Sequence, residues 1–376
     1  MNHDLFPKSY QDSRERFRSW EKKIAQLWPK TNLLAFPVGD PSDDLSIDAL
    51  QSFPTENMER LLLFTTGLHG IEGYMGSAMM ELLLQNFLSQ IDSRTTGLCL
   101  VHIINPWGMK KEQRTNQNNV DLNRNFIYDW QSFQTDNKSY KNFASFFAPK
   151  KPVQSRYFEY WRFYARLVSI LLQGKKSMFK DALLSGQYEY PQGLYYGGKE
   201  EQEETQIMSK LFRNCFSLCR RIVHIDIHTG YGPRYQMSIV HSPFAGIPSM
   251  EYAKESGYPR VVCATQAEFY TMQGDMIDFL YFLKKHEFPN HDLYGACFEF
   301  GCFGDGIFDE AKALRSLILN NQKRNFGASK DTNMVYNLWR EAFFPSEYEW
   351  KQKAIQDFEL AFSCILKKHD FLSKQI

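Results

Sequence analysis

Three short stretches, far apart along the chain, hold side chains able to do metal chemistry: His69-Gly70-Ile71-Glu72, then His228, then Glu299. Two imidazoles and one carboxylate, from His69, His228 and Glu72, are the ligand types of a catalytic zinc, and three protein ligands leave a fourth position for water. One Zn2+ per chain is the expected cofactor. Taken singly, a HxxE tetrapeptide or a histidine in an apolar run carries little weight, since short motifs recur by chance. The joint placement is what matters, and it depends on the elements that present these residues.

Arg60-Leu61-Leu62-Leu63-Phe64-Thr65-Thr66 is an apolar run of strand length that breaks at Gly67, and a helix-like stretch from about Tyr74 to Leu88 follows it. His69 and Glu72 are thereby expected in a strand-to-helix loop, and such loops at the carboxyl ends of strands are where open α/β sheets bind ligands. Ile222-Val223-His224-Ile225-Asp226-Ile227-His228 is a second β-branched run, stopped by Thr229-Gly230-Tyr231-Gly232-Pro233. Alternation predicts His224, Asp226 and His228 on one side and Val223, Ile225 and Ile227 on the other. A ligating histidine usually gives its second ring proton to a carboxylate or carbonyl, which makes Asp226 the nearest candidate for that role. His224 is read as a buried structural histidine with its own hydrogen-bond partner.

Between these stretches lie the strand-like Leu98-Cys99-Leu100-Val101-His102-Ile103-Ile104, then Asn105-Pro106-Trp107-Gly108, Arg114, and Val120-Asp121-Leu122-Asn123-Arg124-Asn125-Phe126. This order resembles the carboxypeptidase A-like zinc peptidases, whose pattern runs HxxE, NPxG, an arginine, a DLNRNF-type segment, a distal histidine and a late glutamate. Within that clan the chain is most similar to an uncharacterised bacterial branch. The resemblance spans about Leu61 to Gly301, and its strongest part is Asn105 to Phe126. It implies His69, Glu72 and His228 as zinc ligands, Glu299 as general base, Arg114 as oxyanion stabiliser, and Asn123 and Arg124 as the holders of a substrate carboxylate. Digestive members also carry a mobile tyrosine. Tyr231, Tyr235, Tyr252, Tyr258, Tyr270, Tyr281 and Tyr294 compete for that place, with Tyr270 preferred.

Each role also has a physical reading. Glu299 sits in Gly295-Ala296-Cys297-Phe298-Glu299-Phe300-Gly301, an apolar run in which a charge is costly to bury without a cation nearby. Glu268 also follows a strand-like segment, Val261 to Thr265, but lacks such surroundings. A planar guanidinium suits bidentate capture of a carboxylate, which favours arginine over lysine at 114 and 124. Asp275, in Gln273-Gly274-Asp275, reads as a helix N-cap, with attraction of a basic side chain as the other reading.

The expected fold class is α/β, with a mostly parallel or mixed twisted central sheet and helices on both faces. A single catalytic domain over residues 1–376 is expected, with an N-terminal helical extension over about 1–30, an insertion over about 129–199 and a C-terminal helical segment over about 345–370. Amphipathic helices are predicted over about Tyr10 to Trp28, Tyr157 to Leu172, Glu203 to Arg220 and Glu347 to Lys367. Asp129 to Pro149 shows no clear period, and the aromatic loop Tyr188 to Gly198 is a candidate lid.

A net charge of +1 gives no basic field for nucleic acid, and a content of 43% hydrophobic residues suffices for a sizeable core. No apolar run reaches the length of a membrane span, and Met1 to Lys8 lacks the apolar core of a secretory signal. The 7 cysteines, scattered and odd in number, suit a reduced, cytoplasmic compartment. Cys215 and Cys219 read as ordinary half-buried helix residues. Three functions stay open: a metallo-carboxypeptidase acting on a peptide, a deacylase of an N-acyl amino acid resembling aspartoacylase and the succinylglutamate desuccinylases, and a metal-binding scaffold without hydrolysis.

Overall fold

The computed structural model describes residues 5–135, 137–265, 267–270, 272–328 and 332–373. Its strands are β1 (Lys30–Pro37), β2 (Ser46–Phe53), β3 (Arg60–Thr66), β4 (Thr96–His102), β5 (Arg221–Gly230), β6 (Met237–His241), β7 (Val261–Cys263) and β8 (Asp292–Gly301). They form one eight-stranded mixed sheet in the order β1-β2-β4-β3-β5-β8-β6-β7. The middle strands β4, β3, β5 and β8 are mutually parallel, while β1, β2 and β6 join antiparallel. Parallel strands covered on both faces read as continuous apolar runs, as Leu61 to Phe64 does.

The helices are α1 (Tyr10–Ile24), α2 (Gly73–Leu82), α3 (Pro106–Lys110), α4 (Tyr140–Phe147), α5 (Arg156–Leu172), α6 (Lys176–Leu184), α7 (Glu203–Leu218), α8 (Ser249–Ser256), α9 (Met276–His286), α10 (Ile307–Phe326), α11 (Thr332–Phe343) and α12 (Tyr348–Lys368). Residues alternate between two cores along the sheet. Leu62, Phe64, Val223, Ile225 and Ile227 pack with α1, α2, α8 and α12, whereas Leu61, Leu63 and Ile222 pack with α7 and α9. Helices therefore cover both faces, as the binary pattern of the strands requires.

Several predicted elements appear with shifted ends: α1 stops at Ile24 rather than Trp28, and α2 proper stops at Leu82, prolonged by irregular turns to Gln90. The first sixty residues, outside the segment that carries the resemblance, supply two strands of the sheet as well as α1. The stretch without a clear period, Asp129 to Pro149, contains α4, whose Tyr140, Phe143, Phe146 and Phe147 share a core with Phe163, Phe179, Leu194 and the α10 residues Leu314 and Ile318. The buried residues of α4 do share one helical face, but at 8 residues the helix is too short for that period to stand out from the longer stretch around it. No helix among the described residues is long and apolar enough to cross a membrane.

Candidate metal centre and its cleft

The carboxyl ends of β3, β4, β5 and β8 lie side by side and carry the candidate site. His69 follows β3 and caps a single turn, Gly70–Glu72, that leads into α2. That turn rests directly on α3: a Cβ at Gly70 would fall 2.1 Å from the backbone carbon of Gly108. The glycines of His69-Gly70-Ile71-Glu72 and Asn105-Pro106-Trp107-Gly108 thus let two loops interlock, while Asn105 caps α3 through Gly108 N at 2.8 Å. On the neighbouring strands His228 and Glu299 are register partners across β5 and β8.

The two histidines and Glu72 converge. Glu72 Oε1 lies 2.9 Å from His69 Nδ1 and Glu72 Oε2 lies 3.0 Å from His228 Nδ1. The outer nitrogens are each held by an aspartate: His69 Nε2 is 3.0 Å from Asp121 Oδ1, and His228 Nε2 is 2.6 Å from Asp226 Oδ2. Both rings are thereby oriented with Nδ1 inward, 5.0 Å apart between centroids. Asp226 is itself held by Thr65 Oγ1 at 2.6 Å, which also meets His224 Nε2 at 2.8 Å. His224 is fully buried, and Val223, Ile225 and Ile227 face the opposite core.

Whether a metal ion fits can be judged from the donors themselves. His69 Nδ1 is buried and has no hydrogen-bond partner, because its approach to Glu72 Oε1 lacks hydrogen-bond geometry. A buried lone pair left this way is costly unless something accepts it. Ligand atoms of His69, Glu72 and His228 all lie within 4.8 Å of one another, as do those of His228, Cys297 and Glu299. Imidazole and carboxylate are ligands that zinc accepts, and outer carboxylates on ligating histidines are the usual support. The residues fit the metal.

The local field also favours positive charge. Burial opposes charge on His228, but Asp226 and Glu72 hold its imidazole protonated well above the usual histidine range. Glu72 and Asp121, although burial disfavours their ions, are held well below the usual carboxylate range, Glu72 by His69 and His228 and Asp121 by Arg114, His69 and Arg124. Glu299 goes the other way: burial pushes its carboxyl up to about 8, His228 holding against it and the Glu72 charge adding to it. Its Oε1 accepts from Tyr231 N at 2.9 Å.

The cleft over this centre encloses about 1110 Å³, open solvent at its mouth included, and is lined by every residue singled out for chemistry: His69, Glu72, His228, Glu299, Arg114, Asn123, Arg124 and Tyr270. Arg114 bridges Glu72 Oε1 at 3.2 Å and Asp121 Oδ2 at 3.0 Å, and no acceptor among the described residues reaches its Nη2. Arg124 is 1% exposed; its Nη1 donates to Asn123 O and its Nη2 to Leu184 O, and its Nε is buried without a partner. Asn123 ties the loop to α9, giving Nδ2 to Asp275 Oδ2 at 3.1 Å and accepting from Met276 N at 3.0 Å. Tyr270 stacks on Phe269 at 4.3 Å and meets Tyr231 edge-on at 5.3 Å. Asp275 is the N-cap of α9, accepting from Ile277 N and Asp278 N.

Residues 6–357 match the family described as protein of unknown function (DUF2817). The chain belongs to this family. Among solved structures, it is similar to bovine thrombin-activatable fibrinolysis inhibitor in complex with tick carboxypeptidase inhibitor, at 13% identity over 85% of this chain and 96% of that one, with a TM-score of 0.44. It is also similar to carboxypeptidase A from Helicoverpa armigera, at 12% identity over 86% of this chain and 74% of that one, with a TM-score of 0.45. A metallo-carboxypeptidase from Burkholderia cenocepacia is similar at 14% identity over 97% of this chain and 70% of that one, with a TM-score of 0.43. No curated protein matches the chain.

Some site residues of this family member were not singled out from the sequence. Asp121 sits inside the segment Val120 to Phe126, and the rule that a ligating histidine needs an outer acceptor was the signal that could have found it. The amide of Thr229, which donates to Glu72 Oε2 at 3.0 Å, leaves no trace in side-chain patterns. Tyr195, from the candidate lid, lies 5.5 Å from the Arg114 guanidinium and 5.1 Å from that of Arg124. Its φ of +53° is a conformation that bulky residues adopt only when surroundings enforce it. Tyr188, from the same loop, donates its hydroxyl to Arg124 O at 2.7 Å.

Proposed function

We propose that the protein is a zinc-dependent hydrolase that cleaves an amide or peptide bond beside a residue bearing a free carboxylate. The observation that carries this reading is the arrangement at Glu72, whose two oxygens face the inward nitrogens of His69 and His228 while Asp121 and Asp226 hold the outward ones. His69, Glu72 and His228 would hold the metal. When bound, zinc polarises the scissile carbonyl and brings the acidity of water into the neutral range.

The chain's own residues do the rest. Burial raises the Glu299 carboxyl to about 8, so the group needs a cation beside it to be ionised as a general base; once protonated it can return that proton to the leaving amine. The amide of Tyr231 orients its Oε1. Arg114 is held by Glu72 and Asp121, so that its Nη2 is the donor left for a developing oxyanion. Arg124 supplies the cation for the substrate carboxylate, with Tyr195 stacked on it and Asn123 bracing the loop on which it sits. Tyr270, stacked in the wall with Phe269, would shield the reacting centre from water.

The test pairs metal analysis with a panel of peptides and N-acyl amino acids, followed by release of the terminal residue. Glu299→Gln is expected to keep its zinc and lose about 10²–10⁴ in kcat. Bound zinc with wild type and variant equally inert would overturn the hydrolase reading and favour a non-catalytic scaffold. A second reading, an N-acyl amino acid deacylase, is favoured by the close Asp226–His228 pair within an Asp-x-His segment. Turnover of acyl amino acids with peptides untouched would select it.

A further inference from the structure

The near-zero net charge of the chain hides a strong segregation. From α4 through α6, residues 140–184 carry nine lysines and arginines against two acidic residues, Glu159 and Asp181. That is a net +7 within a total of +1, which leaves −6 for the rest of the chain. Glu159 is moreover buried and paired with Arg162 at 2.6 Å. The outer surface of this segment is therefore basic.

Helix α5 supplies an independent observation. Its inner face holds to the fold partly through charge: Arg162 Nη2 donates to Gln322 Oε1 of α10 at 2.9 Å and Arg166 Nη1 to Ser145 O of α4 at 3.0 Å, while Phe163 packs on Phe146. Its outer face carries Tyr157, Trp161, Val168 and Leu172, whose spacing puts them in one row along a helix. They are 77%, 69%, 49% and 84% exposed, and Leu171 lies exposed beside them. A surface helix normally turns its polar side to water, so this one is inverted. The row is about 22 Å long. Exposed lysine pairs close both of its ends, Lys150 and Lys151 before α5 and Lys175 and Lys176 after it.

An apolar row bounded by cations fits an anionic bilayer surface. Aliphatic side chains enter the acyl boundary, tyrosine and tryptophan settle at headgroup level, and lysines keep their ammonium groups among the phosphates. A second copy of the chain fits less well, because a two-fold contact would set the same basic segment against itself. Nucleic acid also fits less well, since Val168, Leu171 and Leu172 offer no π face on which a base could stack. We infer that α5 docks the protein onto an anionic membrane surface, with Trp161 and Leu172 inserted and the lysine pairs on the headgroup phosphates. No helix among the described residues is long and apolar enough to cross a membrane, so α5 lies in the plane of the interface. The inference is independent of the hydrolase reading.

Co-sedimentation of the full chain with vesicles tests this, comparing phosphatidylcholine alone with phosphatidylcholine containing phosphatidylglycerol. Each lysine near an anionic surface contributes roughly fivefold in partitioning, so the four together should favour the anionic vesicles by about 100-fold or more, and added salt should erode that preference. Replacing both Lys175 and Lys176 by alanine is expected to weaken binding to anionic vesicles about 25-fold. Trp161→Ala and Leu172→Ala should each weaken it by about tenfold or more, since each removes inserted apolar area. All four side chains are exposed, and the lysine and apolar variants are read separately, so misfolding of one leaves the other decisive. Equal binding to both vesicle types, no binding to either, or binding unmoved by Trp161→Ala and Leu172→Ala overturns the inference. So does a dimer in vesicle-free ultracentrifugation that Trp161→Ala breaks, which would give the row to a second copy, or binding of single-stranded RNA as tight as that of anionic vesicles.

Discussion

Replacing Asp121 by asparagine tests how much the outer carboxylate contributes to the proposed metal centre. Asp121 makes two charged contacts: Oδ1 with His69 Nε2 and Oδ2 with Arg114 Nε, both at 3.0 Å. In Asp121→Asn, one amide oxygen can still accept from the imidazole, but the ring loses the negative charge that strengthens Nδ1 as a donor, and the amide NH2 faces a guanidinium that is also a donor. Outer-carboxylate replacements typically cost about 10–100-fold in metal affinity, which is about 1.4–2.7 kcal/mol. Arg114 keeps Glu72 at 3.2 Å, so the loss to the metal-free fold should fall below the roughly 3–5 kcal/mol seen when a buried ion loses its whole partner. Competition for zinc against a chromophoric chelator reads the first quantity, and thermal unfolding with and without zinc reads the second. Because ligand binding stabilises by RT ln(1 + [L]/Kd), the melting gap between loaded and metal-free protein should shrink in the variant. Zinc affinity within about twofold of wild type would refute the account in which Asp121 orients His69.

Two further outcomes are expected. Arg114→Ala should lose about 10²–10³ in kcat on any substrate the protein turns over, the usual effect of deleting an oxyanion donor, and wild-type turnover would remove Arg114 from the chemistry. Glu204, near the start of α7, is buried; among the described residues its Oε1 has no hydrogen-bond partner and its Oε2 accepts from Asn116 Nδ2 at 3.1 Å, and burial pushes its carboxyl from 4.5 up to about 7. The unfolded chain then ionises before the folded one, so this group makes stability fall as pH rises from about 4.5 through about 7, by on the order of 3 kcal/mol, with no effect below that window. Glu204→Gln should flatten that decline in denaturant midpoints across pH 4 to 8, and two parallel curves would contradict it.

The sequence by itself determined whatever lies within one run of residues. Period-two alternation in Ile222 to His228 sorted Asp226 and His228 from Val223, Ile225 and Ile227, because successive side chains of a strand point to opposite faces. Breaks at Gly67 and at Thr229-Gly230 located His69 and His228 at strand ends, and the N-cap reading of Asp275 followed from turn chemistry alone. Tertiary structure decided what depends on which elements become neighbours. Asp121 reaches His69 from 52 residues away only because β4 and β3 lie side by side and the loops after them interlock at Gly70 and Gly108. Glu299 comes beside His228 because β8 lies next to β5 with these two residues in register. Helices α10 and α4 owe their packing to each other's aromatic and aliphatic surfaces. Local patterns arise from bonded geometry, which contiguous residues carry; strand order and loop contact come from burying the whole apolar surface at once, a condition written in no single segment.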